Sequence, residues 1–124
     1  MDLWISHESG QPIYEQIVSQ IKGMILSGEL QDGDALPSMR LLAKELKISV
    51  ITTKRAYEEL LRAGLIVSVT GKGSFVSTKN ANSIREEQQK ALEAALLDAA
   101  RQAKSAGVSL SEVLELITLL YKGE

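Results

Sequence analysis

Apolar residues recur at helical spacing in the first part of the chain, and two residues mark where that helix starts and stops. Pro12 suits the start, because the first residue of a helix needs no N–H partner, and Gly28 is typical of the position after a helix. The residues that share the apolar face between them are Ile13, Ile17, Ile21, Met24 and Ile25. The pattern therefore predicts an amphipathic helix between Pro12 and Gly28.

Two shorter helical patterns follow an acidic turn, and each begins with a serine. Ser38 is placed to cap a second helix, which ends near Lys47 and contains the apolar residues Leu41, Leu42 and Leu46. Ser49 is placed to cap a third helix, after which Gly64 predicts a left-handed stop. We expect a buried face made of Thr53, Ala56, Tyr57 and Leu60. The opposite face of the third helix contains Val50, Ile51, Lys54, Arg55 and Glu58.

Two alternating runs, Leu65–Val69 and Ser74–Ser77, predict short strands directly after the third helix. Gly71 and Gly73 allow the positive φ angles that a tight hairpin requires, and Lys72 lies at its tip. Two helices joined by a tight turn and followed by a hairpin indicate a winged helix-turn-helix. Such a domain can fit the second helix of the pair into a DNA major groove.

The small polar segment Ser77–Ser83 predicts a hinge before the last part of the chain. An Ala-, Glu- and Leu-rich helix is expected from about Ser83 to Lys104, and Ala106-Gly107 ends it. A last helix is expected from Leu110 to Tyr121. The expected fold is therefore mainly α with a small β-hairpin. It comprises a winged helix-turn-helix DNA-binding domain over residues 1–78 and a helical dimerisation tail over residues 79–124.

Each tail helix has an apolar face, and two helices alone bury little surface. The face of the long helix contains Leu92, Leu96, Ala99 and Ala103. The face of the last helix contains Leu110, Val113, Leu114, Ile117 and Leu120. We expect the two faces to pack against each other and against a second copy of the chain. The candidate dimerisation residues are Leu92, Leu96, Ala99, Val113, Ile117 and Leu120.

The distribution of charge changes the picture that the composition gives. A net charge of −2 and a pI near 5.5 argue against a nucleic-acid partner. Residues 36–79, however, contain eight bases and three acids, a balance of +5, whereas residues 1–35 contain one base and six acids. A DNA phosphate backbone interacts with this local positive charge rather than with the net charge of the whole chain. The alternative is that these bases only solvate helix faces, but their coincidence with the helix-turn-helix favours DNA.

The composition also argues against several kinds of chemistry. The chain has no cysteine, and His7 is its only histidine, which leaves no thiolate or His-based metal site. His7 lies in a segment that we expect to be flexible, and no motif orders a partner for it, so we expect neither catalysis nor a cofactor. No apolar run has membrane-spanning length, and the first residues lack a secretory pattern. We therefore expect a cytoplasmic protein with no membrane partner.

Arg40 falls on the first turn of the second helix, where it can reach a phosphate or a guanine; the alternative is an ion pair with Glu45. The N-terminal end of the third helix is where a recognition helix meets base edges and phosphates. Val50 and Ile51, on that turn, either pack on the second helix or touch thymine methyl groups. The candidate DNA-binding residues are Ser38, Arg40, Ser49, Val50, Thr52, Lys54, Arg55, Gly71, Lys72 and Gly73.

Several motifs together resemble the N-terminal domain of GntR-type bacterial transcription regulators, over roughly Pro12 to Ser77. They are Ile13-Tyr14-Glu15-Gln16-Ile17, Leu36-Pro37-Ser38-x-Arg40-x-Leu42-Ala43, Ser49-x-x-Thr52-x-Lys54-Arg55-Ala56, Leu60, Gly64-Leu65-Ile66 and Gly71-Lys72-Gly73-Ser74-Phe75-Val76. The short two-helix tail is similar to that of the YtrA subfamily, in which it serves dimerisation. The resemblance thus implies a homodimer.

The resemblance also implies particular DNA contacts, namely Arg40, Ser49, Thr52, Lys54 and Gly71. Arg55 and Lys72 are added from their charge and placement. Val50 is a departure, because many relatives have arginine directly after the capping Ser or Thr. A bidentate contact to guanine is therefore absent at that point.

We expect a dimeric repressor, or as an alternative an activator, that binds a pseudo-palindromic operator. Its two recognition helices would enter major grooves about one helical turn apart. The rival hypothesis is an interaction module that binds protein through its winged helix; such a module needs no clustered positive charge around the recognition helix. A small-molecule effector near the hinge stays open, since no residue pattern names one.

Overall fold

The structure, a computed structural model, describes residues 1–123 and contains five helices and one hairpin in that range. The elements in chain order are α1 (Ile13–Ser27), α2 (Met39–Leu46), α3 (Val50–Arg62), β1 (Ile66–Val69), β2 (Gly73–Val76), α4 (Ala81–Ala106) and α5 (Leu110–Lys122). This is the mainly α fold with a β-hairpin that the sequence predicts. Within the described range, no helix combines the length and the apolar character needed to span a bilayer.

Serine caps fix where three helices begin. The Ser38 hydroxyl accepts a hydrogen bond from the Leu41 N–H at 3.1 Å, and the Ser49 hydroxyl accepts one from the Thr52 N–H at 3.1 Å. Both predicted caps are confirmed. Ser109 caps α5 in the same way through the N–H of Glu112. Each cap satisfies a first-turn donor that has no partner inside its own helix.

The core lies between α1, α2, α3 and the hairpin. Its largest fully buried side chains are Ile17, Ile21, Leu42, Leu60, Leu65, Val76 and Thr53. The predicted buried face of α3 is confirmed, including Thr53, whose hydroxyl donates to the Val50 carbonyl oxygen at 2.8 Å. Of the apolar residues predicted for the second helix, Leu41 is exposed, whereas Leu42 is buried. An eight-residue helix turns only one narrow face toward the core.

The hairpin is antiparallel, with Ile66 opposite Val76 and Val69 opposite Gly73. β1 begins at Ile66, one residue later than predicted. β2 runs from Gly73 to Val76, so it is shifted by one residue toward the N-terminus relative to the predicted Ser74–Ser77. Gly71 and Gly73 have φ angles of 77° and 112°, so the predicted need for positive φ at the tip is confirmed. The Leu36 N–H donates to the Ser74 carbonyl at 2.9 Å, which attaches the segment before α2 to the hairpin.

The helix that follows the hairpin begins earlier than the sequence predicts. α4 starts at Ala81, so the last three residues of the expected hinge Ser77–Ser83 are helical. Contacts divide the chain into a unit Met1–Arg85 and a second unit that begins at Glu86. The functional division at residues 78 and 79 stays a prediction.

Within one chain, α4 and α5 do not pack along each other as α1 and α3 do. Leu92 and Leu120 remain 58% and 64% exposed. The expectation that the two faces pack against each other is therefore wrong for a single chain. Gly107 and Val108 close the end of α4 with backbone hydrogen bonds, and the chain passes directly into α5 at its cap. Most of each apolar face is thus exposed within one chain, although Ala103 and Val113 are half-buried.

Candidate nucleic-acid interface

The start of α2, the start of α3 and the hairpin tip surround one open groove of about 590 Å³. Its lining includes Pro37, Ser38 and Arg40 from the start of α2, Val50 from the start of α3, and Gly71, Lys72 and Gly73 from the hairpin tip. The structure therefore brings together seven residues from three separate parts of the sequence. All seven except Pro37 are candidates for DNA contact.

Tyr57 holds two walls of this groove together. Its hydroxyl, on α3, donates a 2.7 Å hydrogen bond to the carbonyl oxygen of Pro37, just before α2. Burial raises the pKa of Tyr57 to about 12, so the phenol keeps its proton, and this donor, into more alkaline solution than an exposed tyrosine would. Because Leu36 also bonds to the hairpin, the groove walls are fixed relative to one another.

The basic side chains around the groove are not engaged in ion pairs. Arg40, Lys54 and Lys72 are all exposed. Among residues 1–123, the one ion pair is between Arg62 and Glu59. The alternative of an Arg40–Glu45 ion pair is thus not found in the described part of the chain. The positive charge around the groove is available to an anionic partner.

The first turn of α3 is ordered by a pair of hydroxyl groups. The Ser49 and Thr52 hydroxyl oxygens are 2.7 Å apart, while Ser49 also caps the helix. This leaves Ser49 with a role in the fold as well as a place in the candidate interface. A helix N-terminus of this kind is itself a favourable position for a phosphate.

Arg55 is held away from the groove, against α1. Its guanidinium lies 3.9 Å from the centre of the Tyr14 ring and donates to the Tyr14 hydroxyl at 3.2 Å. Sequence reasoning identified the charge of Arg55 and missed Tyr14. The two residues are 41 positions apart in the sequence, so only the packing of α1 on α3 brings them together.

The N-terminal segment is more tightly held than the sequence suggests. The buried side chain of Gln16 accepts from the Ser6 N–H at 2.8 Å and donates to the Ser6 carbonyl at 2.8 Å and the Gln11 carbonyl at 2.9 Å. The expectation of a flexible segment around His7 overlooked this glutamine. In residues 1–123, no group of three or more His, Cys, Asp or Glu residues could hold a metal ion.

The candidate dimerisation residues all lie in the second unit. Leu92, Leu96 and Ala99 are exposed on α4, and Ile117 and Leu120 are exposed on α5. Val113 is half-buried. None of them contributes to the groove.

A basic groove formed by a capped helix pair and a glycine-tipped hairpin defines a winged helix-turn-helix protein. Comparison with known families agrees: residues 13–76 match the model of "Bacterial regulatory proteins, gntR family". The chain belongs to this GntR family of transcription regulators. It is 35% identical over 113 residues to the HTH-type transcriptional repressor YtrA of Bacillus subtilis (strain 168), covering 91% of this chain and 87% of that protein.

Solved structures show the same fold. A transcriptional antiterminator from Listeria monocytogenes EGD-e is similar with a TM-score of 0.71 and 30% identity, covering 99% of this chain and 92% of that one. The DNA-binding domain of AraR, solved in complex with operator ORX1, is similar with a TM-score of 0.55 and 25% identity. That likeness covers 62% of this chain and 96% of the AraR chain.

Proposed function

We propose that this protein is a dimeric transcription repressor that binds a pseudo-palindromic operator. The observation that supports it most is the groove. Arg40, Val50 and Lys72 all line it, and the two bases among them form no ion pair in the described chain. The similarity to the repressor YtrA extends over most of the chain and favours repression over activation. A location in the cytoplasm, where the DNA is, belongs to the same proposal.

The groove residues and the neighbouring residues of α3, Ser49, Thr52 and Lys54, would have different roles in recognition. Arg40 and Lys54 are exposed long bases and are assigned to base edges in the major groove. Ser38, Ser49 and Thr52 lie at helix N-termini and are assigned to phosphates, which fix the register on the duplex. Gly71, Lys72 and Gly73 form a tip that can approach the adjacent minor groove closely.

A second copy of the chain is the proposed partner of the two tail faces. Leu92 and Leu96 on α4, and Ile117 and Leu120 on α5, keep between 39% and 64% of their surface exposed in one chain. Burying each such side chain contributes roughly 1.5–3 kcal/mol, and the sum over two chains can exceed the cost of association. A two-fold pair would match the symmetry of a pseudo-palindromic site.

The direct test of DNA recognition is selection from a random duplex pool by the purified protein, with a random RNA pool in parallel. We expect one enriched inverted repeat in the duplex pool and no enriched RNA. Enrichment of RNA alone would contradict a role as a repressor that binds duplex DNA. Absence of any enriched sequence would favour the protein-binding module.

Base reading and backbone positioning can be separated with single variants. Arg40→Ala and Lys54→Ala should each weaken binding to the selected operator by about 1–3 kcal/mol. Each should also reduce the difference in affinity between the operator and random DNA. Lys104→Ala, which removes the same charge from the last turn of α4, is the matched control and should leave both affinities unchanged. Equal losses on operator and random DNA would assign the residue to the backbone.

A further inference from the structure

Two β-branched apolar side chains project from the first turn of the recognition helix α3. Val50 is 44% exposed and Ile51 is 79% exposed. They directly follow the capping Ser49, so they are the first two residues of α3. The alternative that both pack on α2 is wrong for Ile51, which has most of its surface free. Val50 lines the groove.

We infer that Val50 and Ile51 read thymine C5-methyl groups in the major groove, so that each half-site contains thymine at the positions they face. This inference rests on the proposed function. Thymine is the one base that presents a methyl group on its major-groove edge. Neither side chain has a donor or acceptor, so neither can read a guanine or an adenine by hydrogen bonds.

The surroundings favour DNA as the occupant of this apolar pair. Exposed bases lie near the first turn of α3 without ion pairs in the described chain: Arg40 on α2, Lys54 on α3 itself and Lys72 at the hairpin tip. An apolar protein surface would have to desolvate these charges, which is costly. A base edge flanked by phosphates satisfies both the apolar pair and the charges at once.

The side chains are also suited to the contact by their stiffness. Valine and isoleucine in a helix have one strongly preferred χ1 rotamer. The cap at Ser49 and the buried Thr53, bonded to the Val50 carbonyl, fix the backbone that carries them. Little conformational freedom is therefore left to lose when their methyl groups meet a base, which favours discrimination.

The test removes one methyl group at a time from the DNA. In the operator obtained by selection, each thymine is replaced by deoxyuridine, and the dissociation constant is measured for the wild-type protein. We expect at least one thymine in each half-site at which the replacement weakens binding about three- to fivefold, the effect of one buried methyl-sized group. Val50→Ser and Ile51→Ser, which leave no methyl group on the side chain, are then measured on the same duplexes.

Each variant should abolish the deoxyuridine effect at the thymine that its residue contacts, while the circular dichroism spectrum stays that of the wild-type protein. Val67→Ser makes the same change as Val50→Ser at an exposed valine of β1 and should keep the full effect. The inference is overturned if no thymine shows a methyl effect, or if the effect persists in both α3 variants, which would indicate DNA shape. A selection that enriches no duplex would overturn the proposed function first.

Discussion

Tyr57 is the residue whose ionisation the fold disfavours most clearly. Its buried hydroxyl donates to Pro37, and its pKa is raised from about 10 to about 12 by burial. Because the folded value lies above the unfolded one, the phenol's contribution is complete below about pH 10 and is lost as the pH rises toward 12. The interface geometry therefore depends on a neutral tyrosine.

We predict that the free energy of unfolding of the wild-type protein falls more steeply between pH 10 and pH 12 than that of Tyr57→Phe. At neutral pH, Tyr57→Phe should already cost about 1 kcal/mol, because the Pro37 carbonyl loses its donor. Urea unfolding at several pH values measures both effects. Tyr14→Phe, which removes a half-buried hydroxyl elsewhere, should keep the wild-type slope; equal slopes for Tyr57→Phe and wild type would contradict the prediction.

Arg55 and Lys72 are two exposed bases with different surroundings. Arg55 lies against Tyr14, whereas Lys72 lies at the hairpin tip. If each contacts one phosphate, replacing it by alanine should weaken binding on all DNA sequences alike. The slope of log K against log salt should become shallower by roughly 0.9 for each lost phosphate contact.

Titrations at several salt concentrations measure this slope, with Lys104→Ala as the control for simple loss of charge. Tyr14→Leu keeps the charge of Arg55 and removes the ring beneath it. It should weaken binding by less than Arg55→Ala does, since it affects only the placement of the guanidinium. An unchanged salt slope in both alanine variants would remove these two side chains from the phosphate contacts.

At the scale of elements, the turn between α2 and α3 contains the one non-glycine residue with positive φ in the described chain. Lys47 ends α2 with φ 57° and ψ 48°. A left-handed conformation costs an L-residue roughly 1–2 kcal/mol, which glycine avoids, although glycine loses more freedom on folding. The turn of the helix pair thus stores local strain.

We predict that Lys47→Gly raises the unfolding free energy by about 0.5–1 kcal/mol, which corresponds to a few degrees in the midpoint of thermal unfolding. Lys47→Ala removes the same charge but keeps the left-handed cost, so it should give no gain. Differential scanning calorimetry of the wild-type protein and the two variants measures the three unfolding midpoints. Equal midpoints for the alanine and glycine variants would show that the turn is not strained.

The helices and the hairpin could be predicted within about two residues because their signals are local. A serine cap, a glycine stop and an apolar repeat act over one or two turns of chain. Three features could not be predicted in this way. They are the hydrogen bonds from Gln16 to the N-terminal segment, the stacking of Arg55 on Tyr14 and the backbone strain at Lys47. Each depends on which elements pack together, and polar residue types alone do not specify a distant partner.

The tail could be predicted as two amphipathic helices, but the way they pack could not. Periodicity shows that a face is apolar and says nothing about which surface covers it. The structure leaves both faces open in one chain. At the scale of the whole molecule, this makes a second copy the simplest partner.

We predict that the 124-residue chain is a dimer at micromolar concentration and that Ile117→Glu makes it a monomer, because a buried unpaired charge is costly. Thr118→Glu places the same charge on the next residue of α5, outside the apolar face, and should remain dimeric. Sedimentation equilibrium distinguishes the two. A monomeric wild-type protein would contradict the role given to the tail.

Truncation tests the same role without a new charge. Arg85 is the place to end the chain, because Ala81 is buried, Ile84 packs on the core and Arg85 donates to the Leu26 carbonyl at 2.6 Å. The fragment Met1–Arg85 should remain folded by circular dichroism. It should bind the operator far more weakly than the full chain, since two tethered half-site contacts reinforce each other.

The spacing of the two half-sites tests the central claim most directly. Five base pairs, about half a helical turn, are inserted between the halves of the selected operator, which moves one half-site to the opposite face of the duplex. A dimer that places two recognition helices in major grooves one turn apart should then bind no better than it binds an operator with one half-site scrambled, a loss on the order of tenfold or more. Unchanged affinity on the lengthened operator would contradict the account.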